Sequence, residues 1–105
     1  MGRPEGRVEN YLRRRVKEEK GRIRKVRWIC RDGAPDNLVW WPGPRAAFIE
    51  CKAEGVRVNP KAPQAREIAR LRLDGWTVYV VDTFEGVEIA IREIKEGQPT
   101  DAVSL

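Results

Sequence analysis

The chain has 105 residues, 41% hydrophobic and 35% charged, which describes one globular domain with a modest core rather than a disordered segment. No run approaches the roughly 18 apolar residues of a membrane span, and the basic N-terminus lacks a signal-peptide apolar core, so a cytoplasmic protein is expected. Histidine is absent, which excludes histidine triads and histidine-ligated zinc, and the excess of 21 basic over 16 acidic residues suits a polyanionic partner.

In chain order, Val8, Tyr11, Leu12 and Val16 recur at helical spacing and predict a helix over 5–20, with Gly21 as its stop. Glu9 lies at the edge of that apolar stripe. Arg15 falls inside it, which calls for an acidic group or a partner. "IRKVRWIC" (23–30) alternates as a strand with Val26, Trp28 and Cys30 on one side. "NLVWW" (37–41) and "AAFIECK" (46–52) are more continuously apolar, as strands covered on both faces are, and "PGP" (42–44) turns between them. A helix starts near "NPKAPQ", with Pro60 or Pro63 in its first turn, and runs to Leu73 or Asp74 before Gly75. "WTVYVV" (76–81) is a strand. In a last helix Asp82 and Glu85 have capping-box spacing, and Phe84, Val87, Ala90, Ile91 and Ile94 share a face that Ile89 leaves. The tail from Gly97 is read as loose. Cys30 and Cys51 are too few for a disulfide framework and read as buried thiols. Trp28 and Trp76 read as core; Trp40 and Trp41 point to opposite faces.

A helix crossing from the third strand to the fourth makes those two parallel with a right-handed connection. The fold class is therefore α/β: a three-layer α/β/α sandwich on a mixed four-stranded sheet, an αβββαβ core with a C-terminal helix. The domain spans residues 1–105, its core about residues 5–95.

The stretch "FIECKAEG" (48–55) sets Glu50 and Lys52 on one face of an inner strand, where charges are costly unless paired or bound to metal. If the hairpin is symmetric about Gly43, Trp41 faces Arg45, Leu38 faces Phe48 and Asp36 faces Glu50, with Lys52 diagonal to Asp36 on the same face. A slip of one residue would separate the two acids. Two carboxylates so close repel unless a cation intervenes, and a hard divalent ion with oxygen ligands at about 2.1 Å fits there. The alternative is a plain salt bridge from Lys52 to one or both acids.

Pro35-Asp36 followed by Glu50-Cys51-Lys52 resembles the PD-(D/E)XK nuclease signature, and the element order resembles that superfamily's restriction-endonuclease-like core. More narrowly, Gly33-Ala34-Pro35-Asp36, Glu9 and Gln64 are similar to the VRR-NUC family. The resemblance implies a Mg²⁺- or Mn²⁺-dependent endonuclease acting on DNA, with no organic cofactor. Asp36, Glu50 and the backbone carbonyl of Cys51 would bind the ion, and Lys52 would act on the attacking water or the developing charge. Glu9 would serve a second ion, directly or through water, and Gln64 would position the site. Asn37 departs from the arginine that often follows the family's Pro-Asp. Stand-alone relatives imply a homodimer, a preference for branched DNA such as the Holliday junction, and a phage or mobile-element origin with action in the host cytoplasm. Lys25, Arg66 and Arg70 are the candidate DNA contacts, the last two sharing a helix face. The competing reading is a non-catalytic nucleic-acid-binding module with the same fold.

Overall fold

Val8, Leu12 and Val16 are all buried, and their stripe folds Glu5–Glu18 (α1) onto the sheet. In this computed structural model, which describes residues 5–29, 33–43 and 45–97, α1 ends two residues before the expected limit. Gly21 N–H bonds the Val16 carbonyl at 2.8 Å and Lys20 N–H that of Lys17 at 3.0 Å, a Schellman closure. Lys20, not Gly21, takes the left-handed conformation, with φ 70°. Gly21 is needed for another reason: a Cβ there would lie 2.6 Å from the Trp41 ring. The Trp41 indole in turn donates to the Glu19 carbonyl at 2.9 Å, capping the helix end. Gly21→Ala should therefore lower stability by about 1–3 kcal/mol by overpacking; a denaturant midpoint equal to wild type would contradict this contact.

The strands are Arg22–Lys25 (β1), Asn37–Trp41 (β2), Arg45–Cys51 (β3) and Val78–Val81 (β4). Their order is β1-β2-β3-β4, the first two pairs antiparallel and the last parallel. The hairpin has the expected register, with Trp41 opposite Arg45 and Leu38 opposite Phe48. β1 is shorter than expected because β2, its partner among the described residues, begins at Asn37. Its ladder ends at Lys25–Asn37, followed by a single bond from Val26 N–H to the Asp36 carbonyl at 2.9 Å. Trp28 then donates its indole N–H to the Pro35 carbonyl at 2.7 Å. Cys30, Pro44 and the tail beyond Gly97 lie outside the described residues.

β4 also starts late. Trp76 N–H closes the preceding helix on the Leu71 carbonyl, so Trp76 follows the turn at Asp74 and Gly75 and is 51% exposed, not core as expected. Its ring still leans on Phe48, 5.4 Å away. Pro63–Leu73 (α2) and Phe84–Lys95 (α3) complete the chain. Thr83 caps α3, its hydroxyl accepting Gly86 N–H at 2.9 Å, while Asp82, the expected cap, accepts Gly55 N–H at 3.0 Å.

Period two divides the sheet between two cores. Ile23, Val39, Trp41, Ala47, Ile49, Cys51 and Val81 pack under α1 and α3; Phe48, Val78, Leu38 and Val80 pack under Ile68 and Leu71 of α2. That is the three-layer α/β/α sandwich. Arg15 finds its acid in Glu88 of α3, Nε to Oε2 at 2.7 Å, and Tyr11 donates to the same oxygen at 2.6 Å, tying α1 to α3. Among the described residues no helix is long and apolar enough to cross a membrane.

Candidate active site

β2 begins, and β3 and β4 end, at one edge of the sandwich, so the residues just beyond those strand ends meet there. The hairpin register carried one step past the Asn37–Ile49 pair sets Asp36 across from Glu50. Glu50 shares its face with Phe48, the side covered by α2, and Lys52 follows by the same alternation. Lys52 N–H bonds the Val81 carbonyl at 2.8 Å, which holds it against β4. Its ammonium stands 3.6 Å from Glu50 Oε2, and the two side chains are only 21% and 14% exposed.

α2 contributes Gln64 from its first turn. The chain enters Asp36 through Gly33, whose φ is 80° and whose added Cβ would lie 2.6 Å from the Gln64 Cα. This close approach fixes the Asp36 loop against the start of α2. Burial, then the charge of Asp36, pushes the Glu50 carboxyl above the usual glutamate range, against the pull of Lys52 and of a hydrogen bond from Gln64. The two acids thus feel each other, and each needs a positive neighbour.

The opposite face supplies the rest. Lys25 and Asn37 pair across β1 and β2 and look towards α1. Glu9 Oε2 accepts from Lys25 Nζ at 2.6 Å and from Asn37 Nδ2 at 2.9 Å. Lys25 also reaches Asp36 Oδ2 at 2.9 Å, and Asn37 Nδ2 reaches Asp36 Oδ1 at 3.2 Å. Burial alone would raise the Glu9 carboxyl, but these two donors and the charges of Lys25 and Arg13 bring it below its ordinary value. Burial likewise opposes the Lys25 ammonium, and its bonds to Glu9 and Asp36 outweigh it, raising its pKa. Asn37 is wholly buried and its Oδ1 has no partner.

The Cys51 thiol is buried and pushed up to about 12, first by desolvation and then by the charges of Glu9, Glu50 and Asp36. Its buried surroundings favour the thiol over the thiolate and so disfavour nucleophilic attack by Cys51. What remains is a set of hard oxygen donors with a charge deficit, the chemistry that Mg²⁺ or Mn²⁺ takes. Among the described residues no three carboxylate or thiol side chains converge tightly enough to cage an ion by themselves. Arg66 and Arg70 stand exposed on α2, and Arg66 bonds the Lys61 carbonyl at 3.3 Å.

No family model matches the sequence. A solved structure described as a VRR_NUC domain superposes with a TM-score of 0.77 at 36% identity, covering 87% of this chain and 97% of that one. "Putative nuclease p44" of Acyrthosiphon pisum secondary endosymbiont phage 1 is 38% identical over 76 residues, which are 72% of this chain and 80% of the phage protein. The chain belongs to the VRR-NUC family of nucleases.

The residues that carried the VRR-NUC resemblance come together at one end of the sheet: Asp36, Glu50, Lys52 and Gln64 on the α2 side, and Glu9 reaching in from α1. Lys25, read as a DNA contact, is held within this cluster by two acids. In the sequence Asn37 marks only a departure from the VRR-NUC pattern, yet its amide bonds Glu9 of α1 and Asp36 at once. The signal that could have revealed it was its pairing with Lys25, two polar residues facing a helix that carries Glu9.

Proposed function

We propose that this VRR-NUC protein is a metal-dependent endonuclease that hydrolyses phosphodiester bonds in DNA, selective for branched forms such as the four-way junction, and that it works as a homodimer in the cytoplasm of its host cell. The observation that carries the reading is the convergence of Asp36, Glu50, Lys52 and Gln64 at one partly buried sheet end. The likeness to the VRR_NUC domain and the nuclease name of the phage relative support it.

Asp36, Glu50 and the carbonyl of Cys51 would hold Mg²⁺ or Mn²⁺, with water and a phosphate oxygen completing the shell. When bound, the ion supplies positive charge to the phosphate and acidifies water enough to make histidine unnecessary. Lys52 orients the attacking water and faces the negative charge that develops on the phosphate oxygens. As the bond from water oxygen to phosphorus forms, the bond to the leaving sugar oxygen breaks; water gives up a proton and the leaving oxygen gains one. Gln64 fixes Glu50 and the approach of the phosphate, and Glu9 anchors Asp36 through Lys25 and Asn37. Arg66 and Arg70, one helical turn apart, track the backbone beyond the scissile bond.

Incubating the purified protein with linear duplex, flap and four-way-junction DNA tests this. Product is expected with Mg²⁺ or Mn²⁺ and none in EDTA, fastest from the junction, from protein of dimer mass by light scattering. Retained binding with no product under any condition would make it a binding module instead.

A further inference from the structure

Glu9 and Asp36 are already bridged. We infer that the Lys25 ammonium occupies the position between Glu9 and Asp36 that a second cation would take, so that this site is built for a single divalent ion on the Asp36–Glu50 side. The inference rests on the metal-site reading of Asp36 and Glu50 and specifies its stoichiometry.

The contacts are close and doubled. Lys25 Nζ lies 2.6 Å from Glu9 Oε2 and 2.9 Å from Asp36 Oδ2, while Asn37 Nδ2 donates to the same Glu9 oxygen and to the other oxygen of Asp36. A divalent ion between Glu9 and Asp36 would have to displace the ammonium, while the Asn37 amide holds the two carboxylates at the spacing the ammonium spans. The amide does not yield easily. Asn37 is wholly buried, and its Oδ1 is left without a donor so that Nδ2 can meet both acids. Rotating the amide by half a turn would set that oxygen against two carboxylates. An orphaned buried acceptor is unfavourable, and its persistence here marks the amide orientation as the one the surrounding charges dictate.

Charge leads to the same count. The side chains in direct contact, Glu9, Asp36 and Glu50 against Lys25 and Lys52, sum to −3 + 2 = −1, and Arg13 adds positive charge from further out. One divalent ion brings the site to +1, which a single scissile phosphate neutralises. A second ion would bring it to +3 in a partly buried cluster, where unbalanced charge is strongly disfavoured.

The test is Mn²⁺ binding to the full chain, read by electron paramagnetic resonance and calorimetry without substrate. Wild type is expected to bind one Mn²⁺ per chain, Lys25→Met two, and Lys25→Arg, which keeps the cation, one. Two ions on wild type, or one on a Lys25→Met variant that melts cooperatively, overturns the inference and leaves the metal-site reading standing. No ion on wild type overturns both.

Discussion

Glu50→Gln and Lys52→Ala should each slow DNA cleavage by about 10²–10³-fold, the loss that follows removal of one preorganised charge partner from a transition state, while moving stability in opposite directions. In metal-free buffer at neutral pH, Glu50 is a desolvated carboxylate facing Asp36, and its pKa lies above the usual range for those two reasons in that order. An acid whose folded-state pKa is raised loses stability as pH rises from its unfolded value through the raised one. Glu50→Gln removes that penalty, so the variant should melt at or above the wild-type temperature in EDTA. Lys52→Ala takes away the ammonium 3.6 Å from Glu50 and leaves the two acids facing each other, so it should melt lower, by about 1 kcal/mol given its partial exposure. Added Mg²⁺ then separates them further: it should raise the melting temperature of wild type and, more strongly, of Lys52→Ala, and leave Glu50→Gln little changed. Two variants that cut at the wild-type rate would end the catalytic assignment. Two inactive variants that are both destabilised and both deaf to metal would mean that the pair serves only structure.

That pair was legible in the chain because its geometry is local. Pro42 and Gly43 close a short hairpin, the turn sets the register, and period two puts Asp36, Glu50 and Lys52 together without reference to the rest of the fold. Gln64 and Glu9 were different: no spacing rule links an α2 residue or an α1 residue to a strand end, and only the resemblance to VRR-NUC proteins pointed to them. The Lys25–Asn37 pairing stayed hidden for the same reason. It depends on the register of β1 against β2, and those strands lie too far apart in the chain, either side of residues 26–36, for a turn rule to fix that register. Element ends failed on competition between neighbours. Asp82 and Thr83 both carry oxygens suited to a helix cap, and Thr83 won while Asp82 turned to the Gly55 amide. Trp76 has the β propensity of its neighbours, but its N–H was claimed by the last turn of α2.

The turn before Asp36 makes the same cluster vulnerable from outside it. Gly33→Ala is expected to reduce cleavage by about 10²-fold and stability by about 2 kcal/mol, although residue 33 touches no substrate. Two separate effects combine. At φ 80° any side chain is strained, by about 1–2 kcal/mol. The new Cβ would also meet the Gln64 Cα at 2.6 Å, its N at 2.8 Å and its Cβ at 2.9 Å, and backbone atoms in the first turn of a helix cannot swing aside as a side chain does. Either the loop carrying Asp36 or the start of α2 must retreat. Both movements open the distance between Asp36, Gln64 and Glu50, and a displacement of about 1 Å in a catalytic constellation is enough for that loss of rate. Gly55→Ala isolates the first effect. Gly55 has φ 83° but open space around its would-be Cβ, so it carries the strain without the collision. It should lose only the strain share, about 1–2 kcal/mol, and keep its cleavage rate. If both alanine variants cut equally well, the packing of Gly33 on Gln64 does not position the site; if both lose activity alike, general destabilisation accounts for the result.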